Sequence, residues 1–158
     1  MRSFFYDTWA FLALANSRDR HHDLCVEADR RLETEGFVAI TSDYVFDETL
    51  TGLHVTAGPT VAVRFADLMM HRVSAEELLF VQVNRERQQK ALELFRRLCR
   101  SERRLSFTDC TSFAVMQELE CTVAFTADRH FHRAGRGIRP LLERDGDHLS
   151  LRMPADSE

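Results

Sequence analysis

Residues 105–131 read "LSFTDCTSFAVMQELECTVAFTADRHF", and the reading of this stretch decides the fold. "TDCTSFAVMQEL" (108–119) predicts a helix capped at Thr108 or Asp109, and "CTVAFT" (121–126) predicts a short buried strand immediately after it. Two aspartates, Asp109 and Asp128, interrupt a segment that is otherwise core-like. Each has an ordinary structural use, Asp109 as a helix N-cap and Asp128 as the cap of a short helix over "RHFHRAG".

The same alternation runs through the chain on either side. "SFFYD" (3–7), "FVAIT" (37–41), "LLFVQV" (78–83) and "IRPLLE" (138–143) predict four more strands, the last at a sheet edge because Pro140 cannot donate to a ladder. Between them lie helical patterns: "TWAFLALAN", "HHDLCVEADRRLET" stopped by Gly36, and a segment capped by Ser42 or Asp43. "TVAVRFADLMM" follows with Pro59 at its first turn, then "NRERQQKALELFRRLCR". Short apolar strands that do not alternate, separated by helices, predict a mostly parallel sheet covered on both faces, an α/β sandwich of three layers. The polar "RDGDHLSLRMPADSE" (144–158) reads as a loose tail after a domain over 1–143.

Composition narrows the class. The chain has 158 residues, enough for one core, with 44% hydrophobic and 29% charged residues. No apolar run approaches the roughly 18 residues of a membrane span. The N-terminal apolar stretch is broken by Asp7 and lacks a clean cleavage site, so a signal peptide is rejected and the cytoplasm is the expected location. Cys25, Cys99, Cys110 and Cys121 have neither metal nor scaffold spacing and read as reduced packing residues. The histidine pairs at 21–22 and 130–132 match no zinc spacing and read as surface or packing residues. Net charge is −4, yet residues 85–104 hold eight basic side chains against three acids. A solvated helix face and a phosphate-facing edge both fit that run.

In open parallel sheets ligands gather beyond the carboxyl ends of the strands. Asp7 ends the first strand, Asp128 follows the fourth, and Asp109 opens the helix that feeds the fourth. Glu48 lies about two turns into the helix after the second strand. Asp43 and Asp47, which flank it, read as cap and surface. Four acids at one rim repel one another and lose hydration, which raises their pKa values. A divalent cation relieves both costs, and an all-oxygen donor set favours Mg²⁺ or Mn²⁺ and phosphoryl chemistry. A phosphatase of the paired Asp-x-Asp kind is disfavoured, because "YDTW" carries one aspartate after the strand.

"FFYDTWAFLALANSRDRHH", "TSDYVFDETLT", "LSFTDCTSFAVMQEL" and "AFTADRHFHRAG" resemble, in order and separation, the four acidic motifs of PIN-domain proteins. The pattern is most similar to the VapC-like toxins of type II toxin–antitoxin modules and covers about residues 3–143. The resemblance implies strand order 3-2-1-4-5 and a Mg²⁺- or Mn²⁺-dependent ribonuclease whose catalytic and metal-binding residues are Asp7, Glu48, Asp109 and Asp128. It also implies Thr8, Thr108 or Thr126 as helping hydroxyls, RNA as substrate and phosphate contacts from 85–104. An antitoxin partner and a homodimer follow by the same analogy, with dimerisation or antitoxin docking through the helical pair Phe46–Met70 with Phe65, Leu68 and Met69, side chains that plain core packing explains equally well. The alternatives are a stand-alone RNA-processing nuclease of the same fold and a non-cleaving RNA- or partner-binding protein.

Overall fold

The computed structural model describes residues 1–134 and 137–155. Its elements, in chain order, are β1 (Ser3–Tyr6), α1 (Thr8–Ala15), α2 (His22–Thr34), β2 (Val38–Ser42), α3 (Asp43–Ala57), α4 (Pro59–Ser74) and β3 (Leu79–Val81). There follow α5 (Arg85–Leu98), α6 (Phe107–Glu118), β4 (Val123–Phe125), α7 (His130–Arg133), β5 (Arg139–Pro140), β6 (Leu142–Asp145) and β7 (His148–Leu151). Among the described residues β1 to β5 form one parallel sheet, as the strand pattern predicts, in the order β3-β2-β1-β4-β5 that the resemblance implies.

Right-handed crossovers carry the chain from β1 through α1 and α2 to β2, then through α3 and α4 to β3, so these helices share one face. The chain then returns past β1, and α5, α6 and α7 cover the other face. β1 is central and covered on both sides, which is why Phe4, Phe5 and Tyr6 are all at most 1% exposed and show no polar alternation. Burying each such ring contributes about 2 kcal/mol. Tyr6 stacks on Phe11 of α1 at 4.4 Å and on Phe125 of β4 at 5.6 Å, tying helix layer to sheet. The helix α6 is buried without interruption from Asp109 to Met116, because sheet, α5 and α7 enclose it. That enclosure explains its lack of an amphipathic face.

Gly36 stops α2 as expected: at φ 72° it donates to Glu33 O, and Phe37 N–H donates to Leu32 O. Four expectations need correction. The N-cap of α6 is Ser106, whose Oγ accepts from Asp109 N–H, and the helix begins at Phe107. The fifth strand is split: Arg139–Pro140 pairs in parallel with β4, and the chain turns at Leu141 into a separate ladder. Residues 144–151 are not a loose tail, since β6 and β7 pair antiparallel across a turn with Gly146 at φ 58°. Its polar residues line a solvent-facing hairpin, which periodicity alone reads as loop, while Leu142 and Leu149 anchor it inward. Residues 156–158 of that segment, with Gly135 and Arg136 of the "RHFHRAG" reading, lie outside the described residues. Finally, Phe65 and Met69 are core side chains at 5% and 1% exposure, whereas Leu68 is exposed.

Candidate functional site

The site is assembled by strand ends. β1 and β4 run in register, Tyr6 beside Phe125, so the next residues, Asp7 and Thr126, meet just beyond the sheet. Asp7 N–H donates to Phe125 O at 3.3 Å, and Thr126 Oγ1 donates to Asp7 Oδ2 at 2.7 Å. The same hydroxyl accepts from Asp128 N–H at 3.1 Å. One threonine therefore places two of the four acids. Asp7 occupies the N-cap position of α1, yet its side chain makes no capping hydrogen bond.

Asp109 differs, because capping and a second role coexist. It is the third residue of a capping box: Ser106 N–H donates to Oδ2 at 2.9 Å, which leaves Oδ1 for the cluster. Glu48 comes from α3, which touches both α1 and α6, and Thr8 Oγ1 donates to its Oε2 at 2.5 Å. Glu48 is half-buried while Asp47 beside it is exposed, which separates the two acids of "FDET". Asp43 instead accepts from Val83 N–H, fastening the end of β3 to α3. Of the three threonines named above, Thr8 and Thr126 bond to the acids. Thr108 acts through its carbonyl, which accepts from Thr111 and Ser112.

Burial pushes the Asp7 carboxyl up to about 7, with the charge of Asp109 adding to the effect and the Thr126 hydrogen bond opposing it. Asp109 is pushed up to about 6, again by burial first; the Ser106 hydrogen bond opposes, and the charges of Asp128 and Glu48 add. Asp7, Asp109 and Asp128 are thus electrostatic neighbours of one another and Glu48 is a neighbour of Asp109, with Asp7 and Asp109 only 4% and 8% exposed. Among the described residues no Lys or Arg forms an ion pair with any of them. The cation-capable neighbour is His130, whose Nδ1 lies 3.1 Å from Asp128 Oδ1.

Asp109, Asp128 and His130 each offer one ligand atom, all within 4.8 Å of one another. The donor set fits a divalent ion: two hard carboxylates, a nitrogen, and buried negative charge with no built-in counter-ion. His130, of the pair read as surface or packing, sits half-buried between Asp128 and Glu102. Its signal was present as an imidazole two residues after Asp128, but it follows none of the zinc spacings. Glu102, 3.1 Å from His130 Nε2, had no signal at all inside the arginine-rich run.

The basic segment is also sorted by the structure. Arg87 is engaged in a two-point pair with Glu118 and in a bond to Gln82 O. Arg85, Arg96, Arg97, Arg100, Arg103 and Arg104 are exposed. All four cysteines are free thiols, three of them buried. No helix among the described residues is long and apolar enough to cross a membrane.

Comparison with known proteins agrees with this geometry. The chain is 34% identical over 131 residues to the 23S rRNA-specific endonuclease VapC20 of Mycobacterium tuberculosis, in both strains CDC 1551 and H37Rv, covering 83% of this chain and 93% of the relative. The crystal structure of M. tuberculosis VapC20, described as a Sarcin-Ricin loop cleaving toxin, superposes with a TM-score of 0.71 at 32% identity over 84% of this chain and 95% of that one. VapBC2 from Rickettsia felis, bound to a DNA fragment from its promoter, shares the fold at TM-score 0.64 and 12% identity, over 87% of this chain and 96% of that one. The PIN domain model matches residues 4–137, a span that contains all four acids and every strand of the parallel sheet but β5. The chain belongs to the PIN-domain family.

Proposed function

We propose that this chain is a Mg²⁺- or Mn²⁺-dependent ribonuclease that hydrolyses RNA phosphodiester bonds as the toxin of a toxin–antitoxin pair. The observation that carries the reading is the cluster of buried Asp7 and Asp109 with half-buried Asp128 and Glu48, coupled through Asp109 and with no Lys or Arg ion pair among the described residues. The activity printed for the VapC20 relative, a 23S rRNA-specific endonuclease, supports the same class.

Asp109 through Oδ1, Asp128 and Asp7 would hold the ion. When bound, Mg²⁺ or Mn²⁺ supplies Lewis acidity to the phosphoryl group and offsets the charge that develops on it. Thr126 keeps Asp7 and Asp128 in register, and Ser106 fixes the rotamer of Asp109. Glu48, half-buried and held by Thr8, stands at the solvent side of the cluster, where it can orient water and take up a proton. The exposed arginines of α5 and of residues 99–104 supply phosphate contacts that raise affinity without reading sequence.

Antitoxin docking is supported by an apolar groove of about 300 Å³ between α1, α2 and α4, lined by Phe11, Leu14, Val61, Phe65, Leu68 and Met69. Homodimerisation is supported by Val55 and Val63, exposed on α3 and α4. A cytoplasmic location follows from an RNA substrate and free thiols.

The test is cleavage of mixed RNA with Mn²⁺ by the wild type beside Asp7→Asn and Asp109→Asn. The expected result is cleavage by the wild type and a loss of at least about a hundredfold in each variant. Equal degradation by all three would sink the nuclease reading, since the cleavage would then come from a contaminant.

A further inference from the structure

His130 lies between two carboxylates. On one side its Nδ1 is 3.1 Å from Asp128 Oδ1 and 3.3 Å from Oδ2; on the other its Nε2 is 3.1 Å from Glu102 Oε2. The ring is held on both flanks and well covered, with side-chain exposures of 17% for His130 and 10% for Glu102. Glu102 is itself fixed. Its N–H donates to Leu98 O at 3.0 Å, its carbonyl accepts from Leu105 N–H at 3.2 Å, and its second oxygen pairs with Arg133. The backbone N–H of His130 donates to Asp128 Oδ1 at 2.9 Å, so ring and carboxylate share one turn.

A neutral imidazole has one N–H and cannot donate to both carboxylates. One flank is therefore lone pair against lone pair, a contact that needs a second proton or a cation. The two flanks are not equivalent. Arg133 already offsets Glu102, whereas on the other side Asp109 brings a third ligand atom to within 4.8 Å of Asp128 and His130. A carboxylate accepting from one ring nitrogen while the other faces a metal is the arrangement that orients ligating histidines generally.

We propose that His130 is a nitrogen ligand to the divalent ion, oriented by Glu102, and that it biases the site towards Mn²⁺ over Mg²⁺. This rests on the metal-dependent reading above. A nitrogen donor strengthens binding of a first-row transition ion more than of Mg²⁺, which favours oxygen and water. It also gives the arginine-rich 99–106 loop a second task, because Glu102 ties its position to the ion site.

Pulsed electron paramagnetic resonance of the full chain with Mn²⁺ alone tests the proposal without recourse to activity. The wild type is expected to show ¹⁴N modulation from a directly bound imidazole. His130→Gln should lose it, with Mn²⁺ affinity reduced about 10–100-fold and Mg²⁺ affinity reduced by much less. Glu102→Gln should keep the modulation while binding Mn²⁺ more weakly. Bound Mn²⁺ without ¹⁴N modulation in the wild type overturns the nitrogen ligand and leaves the carboxylate site standing. Modulation that persists in folded His130→Gln overturns it as well, by assigning the nitrogen to another histidine. No Mn²⁺ binding by the wild type at all brings down the metal reading and this proposal together. His130→Asn, with folding checked by thermal melting, serves if the glutamine variant does not fold.

Discussion

Tyr6 and Asp7 are neighbours in sequence that enter two different treatments of buried charge. The Tyr6 hydroxyl bonds to Asp29 and accepts from Arg72 at 3.2 Å, while the Arg72 guanidinium lies 5.5 Å from the Tyr6 ring centroid. Burial pushes the Asp29 carboxyl up, but the Tyr6 hydrogen bond and the Arg72 charge both oppose it. The counter-ion there is part of the chain. One residue on, Asp7 faces the charges of Asp109 and Asp128, and the opposing influences are two neutral donors, the Thr126 hydroxyl and the Thr8 backbone N–H. The same fold sets an arginine on the hydroxyl that holds a half-buried carboxylate, one residue before Asp7. The second cluster has no such counter-ion among the described residues, and on the function proposed above a divalent cation supplies it.

That contrast can be broken at either end. The largest effect belongs to the acid cluster: Asp109→Asn and Asp7→Asn should each lower RNA cleavage by about 10²–10⁴-fold in a single-turnover assay. Asp7→Asn should nevertheless leave the metal-free fold intact or raise its Tm, because an amide still accepts from Thr126 and the buried repulsion is removed. At the paired site the signs reverse. Arg72→Ala should destabilise the fold by about 1–2 kcal/mol in denaturant unfolding, since it removes the donor to the Tyr6 hydroxyl and the charge that opposes the raised Asp29 carboxyl, with little change in cleavage per folded molecule. Thr126→Val should fall between them, reducing cleavage about 10–100-fold by releasing Asp7 and Asp128 together. Smallest of all, Arg96→Ala or Arg100→Ala should weaken RNA binding only a few-fold and lower the salt dependence of affinity by about one ion each.

Much of this was legible in the sequence for a definite reason. The layers follow from non-alternating apolar strands between helices, the strand order from the resemblance to PIN domains, and strands that end at one edge carry Asp7 and Asp128 to a common place. Glu48 was separable from Asp47 by helix phase, which fixes the direction of a side chain. What the sequence hid depends on contacts between distant segments or on competing local chemistry. The cap of α6 was misplaced by two or three residues because Ser106, Thr108 and Asp109 are all good caps, and only geometry shows the reciprocal Ser106–Asp109 box. The β6–β7 hairpin is polar because one side faces water, so its alternation is weak. Asp29 and Arg72 carry no mutual signal, being 43 positions apart, and meet only when α2 and α4 pack beneath Tyr6. Glu102 is one acid in a basic run until the loop brings it to His130.

The central claim is that the four acids are left without a counter-ion so that a divalent cation can bind, and thermal melting against pH, with and without Mn²⁺, tests it most directly. Folded-state values of about 7 for Asp7 and about 6 for Asp109 exceed the unfolded value of 3.8. Their contribution to stability is thus full below the unfolded value and is lost as pH rises through the folded ones. The metal-free protein should accordingly lose Tm between about pH 4 and pH 7 and level off above that, and Mn²⁺ should restore it at the alkaline end far more than at the acid end, where protons compete. Asp7→Asn should flatten the metal-free profile and blunt the Mn²⁺ response. A wild-type Tm at about pH 8 that does not respond to Mn²⁺, or a response that Asp7→Asn and Asp109→Asn leave unchanged, would contradict the account.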